Sequence, residues 1–175
     1  MSENPEIGLN IDVDGIRTNY IVAGEGPPLI LIHGSGPGVT AFANWRGVIP
    51  DFAQHFTCYA PDTLGFGYTD FPDDIDGCSI ERWVAHLVGF MDALGIAKAH
   101  MIGNSYGGAL TLAIATRHPD RVAGIVLMGA AGRSEFKLTK GLEEVWGYEP
   151  SLDNMRALMN TFAHDASLVK EEIVK

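Results

Sequence analysis

The chain has 175 residues, which is the length of one domain or of one domain with part of a second. A hydrophobic content of 46% and an aromatic content of 9% are typical of a globular protein with a buried core. The 12 basic and 22 acidic residues give a formal net charge of -10, which argues against nucleic acid as a partner because two polyanions repel each other.

The N-terminal half begins with an antiparallel pattern and continues with a buried strand. Residues 7–13 and 16–23 are predicted strands joined at Asp14-Gly15, a dipeptide suited to a tight hairpin. Residues 29–32 form a continuous apolar run, which is typical of a strand covered on both faces. A helix is predicted over residues 41–56 with a break at Pro50, and a short strand over 57–60 that ends at Pro61.

Residues 65–77 are predicted to form a solvated loop. Its four carboxylates invite a calcium hypothesis, but their spacing misses the EF-hand pattern and Pro72 interrupts it, so no metal is expected there. The four are Asp70, Asp73, Asp74 and Asp76.

An amphipathic helix follows, with Ser79 as its N-cap and Gly95 just past its end. A strand over 99–102, a helix ending near residues 117–119 and a second buried strand over 122–128 complete the first part. This order predicts an α/β fold with a doubly wound, mostly parallel sheet and antiparallel N-terminal strands.

The character of the chain changes after Gly132. Residues 133–175 contain no strand-like run and several polar helical patterns, including 152–162 and 167–175. We therefore expect two parts: residues 1–132 as the N-terminal part of a sheet core, and residues 133–175 as the beginning of a helical cap. The two cysteines, Cys58 and Cys78, have neither CxxC spacing nor a partner histidine pair, so free thiols in a reducing compartment are expected.

The sequence Gly103-Asn104-Ser105-Tyr106-Gly107 contains Gly-x-Ser-x-Gly between a strand-like and a helix-like run. In this context the motif predicts a nucleophile elbow, a turn so sharp that it holds the serine in a strained conformation above the sheet. Gly103, Gly107 and Gly108 are then glycine because a side chain would collide with the neighbouring strand and helix.

A serine nucleophile needs donors for the oxyanion that develops when it attacks. One predicted donor is the backbone N–H of Tyr106, directly after Ser105 at the start of a helix. The second is expected from the loop of residues 33–38, whose glycines, Gly34 and Gly36 among them, let backbone N–H groups face a ligand; we assign it to the N–H of Ser35.

The chain offers no convincing general base. His33 leaves the strand before the nucleophile, whereas the expected order is serine, acid, histidine. His118 lies about 13 residues along the elbow helix, hence roughly 20 Å from Ser105. A triad of Ser105, Asp153 and His164 is formally open but disfavoured, because cap residues rarely replace a base carried by the sheet.

These motifs together resemble the meta-cleavage-product hydrolases of the α/β-hydrolase superfamily, enzymes that hydrolyse a carbon–carbon bond during aromatic degradation. Gly-x-Ser-x-Gly indicates only the superfamily, and the other segments are more specific. They are His33-Gly34-Ser35-Gly36-Pro37-Gly38, Ala43-Asn44-Trp45-Arg46, Pro61-Asp62-Thr63-Leu64-Gly65-Phe66-Gly67, Asn104 before the serine, residues 127–132 and residues 145–148.

The resemblance implies a fold, an activity and a set of site residues. Ser105 would attack the C6 carbonyl of a 2-hydroxy-6-oxohexa-2,4-dienoate after ketonisation, giving a 2-hydroxypenta-2,4-dienoate and a carboxylic acid without a cofactor. Asn44 and Asn104 would bind the carboxylate and 2-oxygen end of the substrate. Ala131, Leu142 and Trp146 would line the pocket for the group on the ketone, and Gly34 and Gly36 would also contact substrate.

The chain departs from the family at its C-terminal end. Family members continue through the rest of the cap, two further strands, an acid and a histidine, so we expect a fragment of a longer hydrolase; a complete 175-residue molecule would have negligible activity and marginal stability. The alternatives are a serine esterase and, if the chain ends here, a non-catalytic module. An aspartate-dependent dehalogenase or epoxide hydrolase is disfavoured by Ser105.

The expected surroundings are those of a soluble, cytoplasmic enzyme with a small-molecule substrate. The first residues have neither the basic nor the apolar region of a signal peptide, and no apolar run approaches the roughly 18 residues of a membrane span. A homodimer is implied only by the family resemblance.

Overall fold

The computed structural model describes residues 4–71, 79–132 and 139–174. The chain divides into two compact units, Met1–Gly132 and Arg133–Lys175. Cys78 and three of the four loop carboxylates considered above, Asp73, Asp74 and Asp76, lie outside the described residues.

The first unit contains a six-stranded sheet with the strand order β1-β2-β4-β3-β5-β6. The pairs β1/β2 and β2/β4 are antiparallel, and the pairs β4/β3, β3/β5 and β5/β6 are parallel. The predicted mostly parallel sheet with antiparallel N-terminal strands is confirmed. The strands are β1 Leu9–Val13, β2 Ile16–Ala23, β3 Pro28–Ile32, β4 Thr57–Pro61, β5 Ala99–Asn104 and β6 Val122–Met128.

The first two strands form the predicted hairpin. Asp14 and Gly15 at its tip have φ angles of 52° and 85°, the left-handed values that a two-residue type I′ turn requires. β1 begins at Leu9, two residues later than the sequence pattern indicated.

Four helices cover the sheet: α1 Ala41–Trp45, α2 Ile49–Phe52, α3 Ile80–Ala93 and α4 Tyr106–Arg117. The helix predicted over residues 41–56 is interrupted, as expected, but the break lies before Pro50, because α1 ends at Trp45 and α2 begins at Ile49. Pro50 lies in the first turn of α2, where its missing N–H has no helical partner to lose. Ser79 caps α3 as predicted, since its side chain accepts from the Arg82 N–H.

The alternating side chains of β3 supply both layers of the core. Ile30 and Ile32 belong to the cluster that includes Val84, Phe90 and Leu110 of α3 and α4, whereas Leu29 and Leu31 belong to the cluster that includes Ala41, Trp45 and Ile49 of α1 and α2. The strand is therefore covered on both faces, as its continuous apolar run predicted.

β6 is not the buried strand that its apolar sequence predicted. Ile125, Val126, Leu127 and Met128 are 39% to 54% exposed. The physical reason is position, because β6 is at the end of the strand order and pairs only with β5 among the described residues.

The second unit is helical in its described part, residues 139–174. Its helices are α5 Lys140–Trp146, α6 Leu152–Phe162 and α7 Glu171–Val174, with a 3-10 turn at Ala166–Leu168. α6 has its predicted bounds, whereas the helix predicted over 167–175 is replaced by the turn and the short α7. An Arg156–Glu171 ion pair of 2.6 Å joins α6 to α7, and the Thr161 hydroxyl donates to Glu144 of α5 at 2.6 Å.

Candidate active site

Ser105 has a strained backbone at the junction of β5 and α4. Its φ of 52° and ψ of -115° lie outside the regions that L residues ordinarily adopt, and within the described ranges only Asp14 shares a positive φ among non-glycine residues. The strain is held by hydrogen bonds: the Ser105 N–H donates to the Met128 carbonyl at 2.8 Å, and the Ser105 carbonyl accepts from Gly108 at 3.0 Å. The residue is exposed, as a nucleophile at an elbow must be.

The glycines of the motif are fixed by close backbone approach. A Cβ on Gly103 would collide with the Gly107 carbonyl of α4, and a Cβ on Gly107 would collide with the carbonyls of Ile32 and His33 at the end of β3. A Cβ on Gly108 would meet Ala130. The predicted reason for these three glycines is confirmed.

The loop after β3 lies beside the serine. β3 and β5 are parallel neighbours with Ile32 opposite Gly103, so their carboxyl ends meet at one edge of the sheet. A Cβ built on Gly34 would lie 3.3 Å from the Ser105 Cβ, which places the loop backbone next to the nucleophile. Ser35 follows at an exposed position. Its N–H as an oxyanion donor stays a prediction that this placement supports.

Tyr106, the residue of the other predicted donor, is anchored through its ring. The ring packs edge-on against Trp83 of α3 with 5.4 Å between centroids, and the Trp83 indole N–H donates to the Leu64 carbonyl at 2.9 Å. The first turn of α4 is thereby tied to α3 and to the segment after β4.

Asn44 and Asn104 come together at this edge of the sheet. The Asn104 Nδ2 donates to the Asn44 Oδ1 at 3.0 Å, and the Gly34 N–H donates to the same oxygen at 3.2 Å. Because these two bonds occupy the Asn44 oxygen, its NH₂ group is the part that remains to donate to an anion. The sequence could indicate each asparagine but not this shared contact.

The remaining predicted pocket residues are placed unequally. The Ala131 N–H donates to the Ser105 carbonyl at 3.4 Å, so Ala131 lies against the elbow. Gly36 is half-buried, and its carbonyl accepts from the Val39 N–H at 3.2 Å. Leu142 lies on α5 of the second unit, and the side chain of Trp146 is outside the described part of the structure. The pocket roles of all four stay predictions.

Both ring nitrogens of His33 form hydrogen bonds, and the residue is 1% exposed. Its Nε2 accepts from the Thr63 backbone N–H at 2.9 Å, and its Nδ1 bonds the Gly34 carbonyl at 2.6 Å. Burial lowers the pKa of the imidazole, while the Gly34 carbonyl and Asp62 act in the opposite direction. Among the described residues no histidine hydrogen-bonds the Ser105 hydroxyl; His118 ends α4, and Asp153 and His164 lie in the second unit.

Asp62 has a structural role that sequence reasoning did not identify. It is fully buried and accepts from the Ala41 N–H at 2.6 Å, the Asn19 Nδ2 at 2.8 Å and the Tyr68 N–H at 2.9 Å. The carboxylate therefore joins β2, the start of α1 and the loop after β4. The available signal was an acidic residue directly after a buried strand.

Neither a metal centre nor a reactive thiol emerges from the described residues. No group of three or more His, Cys, Asp or Glu side chains there could hold a metal ion. Cys58 is a buried free cysteine, and burial raises the pKa of its thiol, which disfavours the reactive thiolate. Of the helices in these ranges, none combines the length and the hydrophobicity needed to cross a membrane.

Comparison with protein families matches residues 27–167 to the alpha/beta hydrolase fold. The chain is 53% identical to a 2-hydroxy-6-oxo-2,4-heptadienoate hydrolase of Pseudomonas putida over 98% of its own length and 62% of the relative. It is 52% identical to a 2-hydroxymuconate semialdehyde hydrolase of a Pseudomonas species over 98% of its length and 60% of the relative. The chain thus spans about three fifths of these curated relatives.

Solved structures agree with the sequence comparisons. A mutant of a meta-cleavage product hydrolase from Pseudomonas fluorescens, complexed with acetates, superposes with a TM-score of 0.94 at 53% identity, over 98% of this chain and 62% of the other. A 2-hydroxy-6-oxo-6-phenylhexa-2,4-dienoate hydrolase from a Rhodococcus species gives a TM-score of 0.86 at 35% identity, over 94% and 62%. The resemblance seen in the motifs is confirmed.

Proposed function

Because this chain belongs to the α/β hydrolase fold family, we propose that it carries the nucleophile and oxyanion donors of a site that hydrolyses a carbon–carbon bond. The substrate class is a 2-hydroxy-6-oxohexa-2,4-dienoate. The observation that carries the proposal is the 53% identity, over 98% of the chain, to a relative named for dienoate hydrolysis. The exposed, strained Ser105 beside Gly34 supports it, since this is the arrangement that attack on a carbonyl needs.

In the proposed reaction the dienol first ketonises, and the Ser105 Oγ then attacks the C6 carbonyl. The resulting oxyanion accepts from the N–H groups of Ser35 and Tyr106. Cleavage of the bond between C5 and C6 releases 2-hydroxypenta-2,4-dienoate, and water converts the remaining acyl group to a carboxylic acid. The proton transfers require a base, and the described residues provide none at hydrogen-bond distance from Ser105.

The two asparagines are proposed to bind the polar end of the substrate. The Asn44 NH₂ group would donate to the carboxylate or the 2-oxygen, since the Asn44 oxygen is already held by Gly34 and Asn104. Ala131, which lies beside the elbow, is proposed to contact the ketone substituent. For Leu142 and Trp146 the same role is proposed from the family resemblance alone.

The proposal also covers the type of partner, the location in the cell and the oligomeric state. A formal net charge of -10 supports a small-molecule substrate over nucleic acid, and two cysteines without a motif support a cytoplasmic location. A homodimer is proposed from the family resemblance alone.

The test measures loss of the coloured dienolate alongside hydrolysis of a simple aryl ester, each with and without added imidazole as an external base. We expect dienolate consumption that depends on Ser105 and increases with imidazole. Ser105→Ala is the control for reaction in free solution. Rapid ester turnover without dienolate consumption would favour the esterase alternative, and equal rates for the native protein and Ser105→Ala would leave only the non-catalytic reading.

A further inference from the structure

The hydrogen bonds of His33 determine which ring nitrogen carries the proton. A backbone N–H can only donate, so the Thr63 N–H at 2.9 Å requires an unprotonated Nε2. The proton of a neutral ring must then be on Nδ1, which donates to the Gly34 carbonyl at 2.6 Å. The third partner, the Thr63 hydroxyl at 3.2 Å from Nε2, is compatible with this tautomer because a hydroxyl can donate to the bare nitrogen. The two main-chain partners, whose roles cannot be exchanged, therefore decide the position of the proton.

The Gly34 carbonyl belongs to the same peptide group as the Ser35 N–H. In a trans peptide the C=O and N–H bonds point in opposite directions, so a hydrogen bond that fixes the carbonyl towards buried His33 directs the Ser35 N–H to the other side. Ser35 and Ser105 are both exposed, whereas the His33 ring on the carbonyl side of the peptide is buried.

The backbone of Gly34 is flexible because glycine has no side chain, so hydrogen bonds from other residues must fix its conformation. A side chain there would reach to 3.3 Å from the Ser105 Cβ, so the site favours glycine, which is also the residue with the greatest backbone freedom. The Asn44 oxygen holds the Gly34 N–H at 3.2 Å and His33 holds the Gly34 carbonyl. The peptide groups on both sides of Gly34 are therefore fixed.

We propose that His33 is a positioning residue: its neutral ring, held by Thr63, orients the Gly34–Ser35 peptide so that the Ser35 N–H faces the oxyanion formed at Ser105. The inference rests on the proposed function, because the oxyanion exists only if Ser105 attacks a carbonyl. It gives His33 a role in catalysis without contact to the substrate.

The surroundings of the ring keep it neutral. His33 is buried, the Phe66 ring lies edge-on to it with 5.5 Å between centroids, and burial lowers the pKa of the imidazole. Asp62, which acts in the opposite direction, already accepts three other N–H donors. Protonation of Nε2 would deprive the Thr63 backbone N–H of its acceptor and leave the Thr63 hydroxyl, at the longer distance of 3.2 Å, to accept from the ring.

The first experiment observes the ring proton directly by long-range ¹H–¹⁵N spectroscopy of the histidines at about neutral pH. We expect His33 with the proton on Nδ1 and a bare Nε2. A proton on Nε2 would overturn the proposal whether or not the protein turns over any substrate, so this outcome is separate from failure of the proposed function.

The second experiment compares His33→Leu with His33→Asn, because only asparagine keeps an N–H that can reach the Gly34 carbonyl. We expect His33→Leu to shift the Ser35 amide resonance and His33→Asn to restore part of the native position. His86→Leu is the matched control, since His86 is also buried but bonds Thr18 at 2.8 Å, away from this loop. An unchanged Ser35 resonance in His33→Leu would overturn the proposal.

Kinetics supply the functional part of the test. Loss of a correctly aimed donor lowers kcat more than it changes KM, and we expect a fall of about tenfold to hundredfold in kcat for His33→Leu, with partial rescue by His33→Asn. If His33→Leu does not fold, the ring proton and His33→Asn still decide the question. A kcat equal to that of His86→Leu would contradict the role.

Discussion

The backbone strain at Ser105 is balanced by contacts from three directions. A conformation of this kind costs about 1–3 kcal/mol, and it persists only where the surroundings fix it. Here the Met128 carbonyl holds the Ser105 N–H, while the N–H groups of Gly108 and Ala131 hold its carbonyl. The backbone geometry of Ser105 therefore depends on contacts with β6 and α4 as well as on the motif itself.

The buried carboxylate of Asp62 gives a stability prediction at the residue scale. Asp62→Ala would remove the acceptor of three N–H donors, two of them in buried hydrogen bonds, so we expect the free energy of unfolding to fall by about 3 kcal/mol. Asp70→Ala is the control, because Asp70 forms an exposed pair with Arg17, and such pairs contribute at most about 1 kcal/mol. Urea unfolding measures both variants. Similar losses in the two would show that the buried network does not stabilise the fold.

The contrast between Ser105 and Asp62 shows what the sequence can reveal about single residues. Ser105 lies in a local motif whose five residues impose the turn, so it could be predicted. The donors to Asp62 come from Asn19, Ala41 and Tyr68, which are distant in the sequence and meet only after folding. His33 could be rejected as a base because it precedes Ser105 in the chain. Its partner Thr63 could not be predicted, because the two residues are distant in the sequence.

At the scale of elements, the close approach of α4 to β3 gives a second prediction. Gly107→Ala would drive a methyl group into the carbonyls of Ile32 and His33, and we expect a loss of about 2 kcal/mol or more although alanine favours a helix by about 1 kcal/mol. Gly47 has open space around its Cβ position, so Gly47→Ala should change stability by less than about 1 kcal/mol. Thermal or urea unfolding distinguishes them. A tolerated Gly107→Ala would mean that the elbow is less tightly packed.

Among the elements that differ from their predictions, β6 and the helix over 41–56 do so for identifiable reasons. An apolar run such as β6 has the same sequence pattern in a central strand and at an edge, and only the strand order decides which it is. The break expected at Pro50 lies between Trp45 and Ile49, because proline is tolerated in the first turn of a helix and so stands at the start of α2. The hairpin at Asp14-Gly15 and the cap at Ser79 were predictable because their signals are local.

For the whole molecule, acid should weaken folding through His86. Burial lowers its pKa to about 4, against about 6.5 in an unfolded chain, so the folded state binds fewer protons between these values. The contribution is fully present above about pH 6.5 and is lost as the pH falls towards about 4, amounting to about 3 kcal/mol. Buried His33 acts in the same direction.

The measurement is urea unfolding as a function of pH for the native protein, His86→Leu and the exposed control His55→Ala. We expect His86→Leu to show a smaller loss of stability than the native protein between about pH 6.5 and about pH 4. His55→Ala should keep the native dependence. An identical dependence in all three proteins would contradict a neutral, buried His86.

We propose that Ser105 attacks the C6 carbonyl of the ketonised dienoate and that a carbon–carbon bond breaks as a result. Product analysis tests it most directly: 2-hydroxypenta-2,4-dienoate and the carboxylic acid are quantified after incubation with imidazole present, for the native protein and for Ser105→Ala. We expect equal amounts of the two products with the native protein and only background with the variant. Loss of the dienolate without matching carboxylic acid, or equal product from Ser105→Ala, would contradict it.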